Sequence, residues 1–308
     1  MAQQGQRHHA GPFKKRFKQY EQPWHKEKFT PVRNWLQEIE PELLKDVTKR
    51  NEQLKYLSHT SAVLEQGQDD LFGVSAAEED RKLMTKLPAK LFNDFEPGGG
   101  LCIILQSALK YKLEMGWKPD GFEAVLLKEK NGARANVALF QGIEIALLNA
   151  GHLVRPKIFI PSTFPKPNRD ALRNIVVAHH GLIATTRNHA THELMPDVDA
   201  EEPEAEYVRT LETQDRLAKV HWWYYPDSYQ EWKPLSEIQG ETEPPIPTPK
   251  LWKVYARFVR DLDKFNEWMN EEDYMDTEEG ADGDGDGEGV AEGEAEEVDD
   301  ADVDEVGG

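Results

Sequence analysis

The sequence predicts a mixed chain of several modules, α+β and α/β in class: a mostly helical domain, an α/β domain split by a β insert, and a disordered acidic tail. Three observations carry this reading. Apolar residues recur at helical spacing from Thr30 to Gly151. The period shortens to that of strands at Lys157, is interrupted, and resumes after Lys250. The charge is segregated: residues 271–308 hold 19 Asp or Glu and no Lys or Arg, while the preceding 270 residues hold 38 acidic against 37 basic, so the net charge of −20 belongs to the tail. With no aromatic residue after Tyr274, residues 276–308 lack the apolar surface to offset the entropy of ordering, and they read as disordered.

The 308 residues leave room for about two compact units at roughly 150 residues per domain. The one cysteine, Cys102, sits in an apolar helical run. This predicts no internal disulfide and no cysteine-built zinc site, and it suits a reducing, intracellular compartment. No apolar run approaches ~18 residues, and the basic start lacks the apolar stretch of a secretory signal, so no membrane span is expected. Residues 1–23 read as a basic disordered arm, with five Lys or Arg and no acid before Tyr20. Lys14, Lys15, Arg16 and Lys18 within it are the candidate nuclear-import signal or nucleic-acid contact, with a plain solvated arm as the bland alternative.

Over residues 24–150 the helices follow from spacing. Thr30 and Pro31 read as an N-cap and first-turn pair, with Val32, Trp35, Leu36 and Ile39 on one face. Leu54, Leu57, Ser61 and Leu64 mark a second helix. Leu101, Ile104, Leu105 and Ala108 mark a third, stopped by Gly116, and a fourth runs from Arg134 to Asn149 and ends at Gly151. Gly121 to Leu127 read as a short strand pair. From 155 to 196 the order becomes strand (Lys157 to Ile160), helix capped by Asn168 and ended by Gly181, strand (Leu182 to Thr185), strand (Thr191 to Leu194). This is the pattern of a parallel sheet with a crossover helix. Residues 197–212 are an acidic linker, and 213–240 an aromatic-dense β insert. After the Pro-rich EPPIPTP stretch, residues 250–275 resume as a strand through Trp252, Val254, Ala256 and Phe258, then a helix capped by Asp261 or Asp263.

The segments LPAKLFNDFEPGGGLCIILQSALKYKLEMGW (87–117), VHWWYYPDSYQEW (220–232) and PPIPTPKLWKVYARFVRDLDKFNEWMNEEDY (244–274) resemble the N-terminal region of SWI/SNF core scaffold subunits of the SMARCC/Moira type. The resemblance covers residues 24 to 275. It implies a MarR-like winged-helix unit, then a BRCT-like domain split by a chromo-like insert. It also implies a nuclear, non-catalytic adaptor that needs no cofactor and contacts other SWI/SNF subunits, including the ATPase. Family members continue into SWIRM, SANT and coiled-coil regions, whose functions are not carried over to this sequence. The third reading is a short chain that competes with longer relatives for shared partners.

Candidate sites follow from chemistry. Trp222, Trp223, Tyr225, Tyr229 and Trp232 are rings of the kind that surround a methylated ammonium, a possible histone contact. Alternate strand residues face opposite sides, however, so at most half of them can line one cage, and a packed insert is the simpler account. Ser162 and Thr163 follow the first strand where a phosphate-binding BRCT unit needs a hydroxyl, but no Gly follows them. The near-neutral folded region predicts weak or no sequence-specific DNA binding. Gly98 to Gly100 lack the Lys-Ser/Thr of a phosphate loop and read as a helix entry. Asp282, Asp284 and Asp286 imitate a calcium loop whose twelfth position is Gly293. His179, His180, His189 and His192 lack a third metal ligand. No membrane or small-molecule substrate is implied. The alternative function is a free-standing histone-tail or DNA reader.

Overall fold

The computed structural model describes residues 20–74, 76–117, 133–197, 206–224, 229–238 and 248–275. Residues 1–19 of the basic arm, the strand pair read at Gly121 to Leu127, the acidic tail and residues 243–247 of the Pro-rich stretch lie outside them, as does Tyr225. Residues 20–23 do not belong to a disordered arm: Tyr20 is buried and Pro23 opens the first helix.

The helical region is built from α1 (Pro23–Lys28), α2 (Thr30–Ile39), α3 (Arg50–Phe72), the short α4 (Glu78–Arg81) and α5 (Ala89–Phe92), α6 (Gly100–Glu114) and α7 (Ala133–Ala150). Residues three and four apart stack on one helical face, and here that face is the core: Val32 and Leu36 of α2, Leu54, Leu57 and Leu64 of α3, Ile104, Leu105 and Ala108 of α6, and Phe140, Ile143 and Leu147 of α7. Phe72 meets Phe140 edge to face, with centroids 5.7 Å apart. Helix α3 also buries polar side chains, several of which are hydrogen-bonded, while the Ser61 hydroxyl has no partner among the described residues. The Ser58 hydroxyl donates to the Tyr20 carbonyl at 2.8 Å, the Tyr20 hydroxyl donates to Glu65 at 2.8 Å, and Gln68 both donates to and accepts from the Leu87 backbone. Gly116 (φ 65°) and Gly151 (φ 78°) end α6 and α7 in the left-handed region, as their positions in the sequence predict. Thr30 does not cap α2. Phe29 is the N-cap residue, Pro31 fills the first turn where no N–H is required, and Thr30 lies inside the helix.

The α/β part holds β1 (Lys157–Phe159), α8 (Lys166–Ala178), β2 (Leu182–Ile183), β3 (His192–Met195) and, across an insert, β7 (Trp252–Tyr255) and α9 (Arg257–Phe265). The four strands form one parallel sheet in the order β2-β1-β3-β7. Between β3 and β7 in sequence lies a second, antiparallel sheet of β4 (Glu206–Gln214), β5 (Leu217–Tyr224) and β6 (Tyr229–Pro234). Strand β4 therefore takes in residues 206–212, which composition had assigned to the linker. Residues 206–212 carry two Glu and one Arg, so the acidic run that marked the linker ends before the strand begins.

Several local assignments also differ. Ala256 and Phe258 do not extend the strand: Ala256 is the N-cap of α9 and Phe258 lies within it. Asp261 and Asp263 sit inside that helix rather than at its start. Asp261 is buried and accepts from the Tyr274 hydroxyl (2.9 Å) and the Arg257 guanidinium (3.1 Å). Asn168 occupies the first turn of α8, behind an N-cap at Pro165. The left-handed residue after α8 is His180 (φ 61°), not Gly181. Gly181 is required for another reason: a Cβ there would come within 2.8 Å of the Trp268 ring and 2.7 Å of Val176.

The helical and α/β parts meet through buried polar groups. The Lys86 ammonium is buried 2.7 Å from Asp69 of α3 and 3.1 Å from Glu267, which follows α9. The backbones of Lys86 and Glu267 form a parallel bridge, with the Lys86 N–H donating to the Asn266 carbonyl at 2.8 Å. Asn266 is left-handed (φ 55°), and its amide nitrogen lies within 3.0 Å of the carbonyls of Phe72, Arg81 and Met84. Arg81 in turn donates to the C-terminal carbonyls of Asp263 and Lys264. Removing one member of a buried ion group strands the others, at a cost of about 3–5 kcal/mol. Lys86→Met is therefore expected to lower unfolding stability by about that much in urea titration, and Lys253→Met, at a partly exposed position, by roughly 0–1 kcal/mol. Equal effects would contradict the role of Lys86.

Candidate functional site

Trp232 of β6 lies in register with Lys219 of β5, and Lys219 with Glu212 of β4, so a carboxylate, an ammonium and an indole form one row across the antiparallel sheet. Lys28, at the end of α1, reaches onto this row. Its Nζ stands 3.2 Å from the centroid of a Trp232 ring and donates to Gln214 Oε1 at 2.6 Å. Trp232 is only 4% exposed. Burial, reinforced by Lys219 and opposed by Glu212 and Asp215, lowers the Lys28 pKa. Of the other candidate rings, Trp222 pairs in backbone register with Tyr229 and Val208, and Trp223 with Tyr207; Tyr225 lies outside the described residues.

A cleft of about 430 Å³ opens beside Lys28, between α1, the loop of Asn93 to Glu96 and the antiparallel sheet. Trp24, Phe95 and Trp232 supply its aromatic wall. Five carboxylates (Glu27, Asp94, Glu96, Glu212, Asp215) line it against two ammonium groups, Lys28 and Lys219. Asp94 is held by accepting from the Gly100 N–H at 2.6 Å. A Cβ on Gly99 would come within 2.6 Å of that carboxylate, which is why the Gly98 to Gly100 run is a helix entry. Behind the wall, His25 is buried among Tyr20, Trp24, Phe29 and Phe95, with ring centroids 4.6 to 5.9 Å away, and its Nδ1 has no hydrogen-bond partner among the described residues. Burial, aided by the charge of Lys28, pushes its pKa down to about 3.

Ser162 and Thr163 are both exposed, in the turn before α8. The start of that helix is poor in donors, since Pro165 and Pro167 carry no N–H and the Asn168 and Arg169 N–H groups are bonded to the Pro165 carbonyl. His192 is a structural residue of the parallel sheet. It stacks on Phe258 at 5.5 Å, Thr191 Oγ1 lies 2.8 Å from its Nδ1, and its Nε2 stands 3.5 Å from Glu271. Burial alone would raise the Glu271 pKa, but His192 and Lys90 together hold it at about 2. His179 closes a second cleft of about 380 Å³ with Thr85, Arg81 and Asp263; burial lowers its pKa against the opposing pull of Asp263. Lys14, Lys15, Arg16 and Lys18 lie outside the described residues. Among the described residues, no helix is long and apolar enough to cross a membrane, and no group of three or more His, Cys, Asp or Glu is placed to share a metal ion.

Sequence reasoning named Trp232 but missed Lys28, which covers it, and Trp24, Asp94 and Phe95, which line the same cleft. They come from loops and a short helix far away in sequence, and no linear motif links them.

Residues 6–153 match the family model described as a SWIRM-associated domain at the N-terminal. The matched segment ends ahead of β1, so it takes in the helical region and neither sheet. This match supports a link to SWI/SNF subunits of the SMARCC type and suggests a subunit of a chromatin-remodelling complex.

A histidine kept neutral by burial gives stability that is complete above its unfolded pKa of about 6.5 and is lost as pH falls toward the folded value. Below 6.5 the loss approaches about 1.4 kcal/mol per pH unit for His25, with a smaller loss of the same sign from His179. Urea midpoints measured from pH 7 to pH 5 are expected to fall, and His25→Phe is expected to flatten most of the slope. An unchanged slope in that variant would reject His25 as the source.

Proposed function

We propose that this chain is a non-catalytic scaffold subunit of an ATP-dependent SWI/SNF-type chromatin-remodelling complex, located in the nucleus and acting in transcription regulation through protein contacts. The observation that carries the proposal is the match of residues 6–153 to the SWIRM-associated domain. Remodelling chemistry resides, in this reading, in an ATPase partner. We read the helical region as MarR-like. The parallel sheet with α8 and α9 is the BRCT-like unit, and the antiparallel sheet is the chromo-like insert within it. The strand order supports the last two assignments, because among the described residues β4 to β6 pair with one another while β7 returns to β3.

The geometry favours a scaffold over a free-standing reader. The Trp232 ring that a methylated ammonium would need is already covered by Lys28, and the hydroxyls of Ser162 and Thr163 sit by a helix start depleted of N–H donors. Lys14, Lys15, Arg16 and Lys18 serve in this proposal as the import signal, and the acidic tail chiefly maintains solubility.

The test is affinity purification of the tagged chain from nuclear extract with mass spectrometry of what co-purifies, repeated without the residues after Tyr274. Remodeller subunits, including the ATPase, are expected with and without the tail. Recovery of histones alone would overturn the scaffold reading in favour of an independent reader.

A further inference from the structure

Strand β2 is an edge of the parallel sheet. The N–H groups of Leu182 and Ala184 donate to the Pro156 and Ile158 carbonyls, each at 2.8 Å, so the N–H and C=O of Ile183, on the alternate side of the strand, point outward. Among the described residues no strand receives them. Edge strands are ordinarily short and guarded by charge, and the guard here has mostly one sign. Residues 155–195 hold six Lys or Arg against two acids, Asp170 and Glu193. Arg155 and Arg187 are paired with Glu144 and Glu193, but Lys166, Arg169 and Arg173 of α8 make no ion pair among the described residues. These three, at spacings of three and four, share one flank of the helix with Val177 and with one acid, Asp170. The opposite flank, through Ala178, lines the cleft that Asp263 of α9 closes. Because α9 follows β7, at the far end of the sheet, the basic flank is the one turned toward β2. Val177 on that flank and Leu182 on the strand are both exposed.

We propose that this edge takes an extended acidic segment of another protein as an added strand, bonded through its main chain to Ile183, with its carboxylates against Lys166, Arg169 and Arg173. Side chains alternate between the faces of a strand. Ile183 is in register with Ile158 and shares its face, the one packed under α8, while Leu182 takes the other. An incoming strand that alternates Asp or Glu with Val or Thr therefore meets the basic flank on one face and Leu182 on the other. Peptides added at a sheet edge draw affinity from main-chain bonds and selectivity from their alternate side chains. The same charge sets aside a second copy of this chain as occupant, because two β2 edges in contact would bring two basic flanks together. A nucleic-acid backbone would meet the cations but leave Ile183 and Leu182 unused. The surface rests on its own geometry, and its failure would leave the scaffold reading as it stands.

The experiment uses the full chain and a short synthetic peptide alternating Glu with Val or Thr, titrated by calorimetry, with its glutamine counterpart and a short DNA duplex for comparison. The Glu peptide is expected to bind about tenfold more tightly than the Gln peptide, and added salt to weaken it. Arg173→Glu, an exposed change, is expected to weaken it about tenfold. Strand addition has its own readout: with free peptide at about ten times its Kd, hydrogen exchange at the Ile183 amide is expected to slow about tenfold. Equal affinity in the Arg173→Glu variant overturns the proposal, as does equal binding of the Gln peptide. Weakening by Arg173→Glu while the Ile183 amide exchanges as fast as before overturns the added strand. Duplex binding as tight as the peptide's, and as sensitive to Arg173→Glu, overturns it in favour of a nucleic-acid contact. Peptide binding that emerges only when the residues after Met275 are removed overturns it in favour of the chain's own acidic tail as occupant. Should Arg173→Glu lower the melting midpoint, Lys166→Glu, at the exposed first turn of α8, takes its place with the same expectation.

Discussion

The buried ammonium of Lys86 is the constraint on which the rest of the described structure depends. Withdrawing a lysine from water costs several kcal/mol, and only close, well-placed anions offset that cost. Asp69 and Glu267 are those anions, one from the long central helix α3 and one from the segment after α9. Neither carboxylate alone specifies where α9 lies; the two together with the lysine do. Asn266 completes the joint by lying against three backbone carbonyls at once, and it accepts a left-handed conformation to do so, a conformation asparagine tolerates better than most residues. With α9 placed, β7 is placed against β3, and the parallel sheet is complete on that side.

What was legible in the sequence was periodicity. Val32, Leu36, Leu105, Ile143 and Leu147 announce their helices because burial of one face imposes a period, and Gly116 and Gly151 announce their ends because few other residues adopt positive φ. The parallel sheet was legible because a short apolar run, a helix and two more runs permit few other arrangements. Where the reading went astray, the cause was local chemistry of mixed meaning. Thr30, Asn168, Asp261 and Asp263 are residue types that cap helices, but each sits inside one. Asp261 is buried because Tyr274 and Arg257 bond it, partners that a linear scan does not reveal. Strand β4 was hidden because the acidic, Pro-containing run of residues 197–205 directly precedes it and the linker was read on through its first residues.

The candidate site shows the same division. The sequence singled out Trp232 as a ring able to receive an ammonium, and the structure puts an ammonium on it, but one from the same chain. Lys28 carried no signal of its own, being one lysine among many, and its role arises only where α1 meets the antiparallel sheet. The carboxylates around it are likewise ordinary in sequence. A site assembled from a short helix, a loop and three strands has no motif, whereas each of its parts has a reason: Asp94 to start α6, Asp215 to turn β4 into β5, Trp24 to wall in His25.

The joint around Asn266 has a consequence for how the chain comes into being. Asn266 and Met84 are 182 residues apart in sequence, so a chain emerging from its N-terminus presents Lys86 and Asp69 long before Glu267 exists. During synthesis the helical region therefore carries an unfinished surface whose ammonium remains hydrated until the last folded segment arrives. Contacts of such wide separation are slow to form because a large loop closes before they bring any reward. Completion of the fold is thus a late, single event governed by the C-terminal end of the folded region.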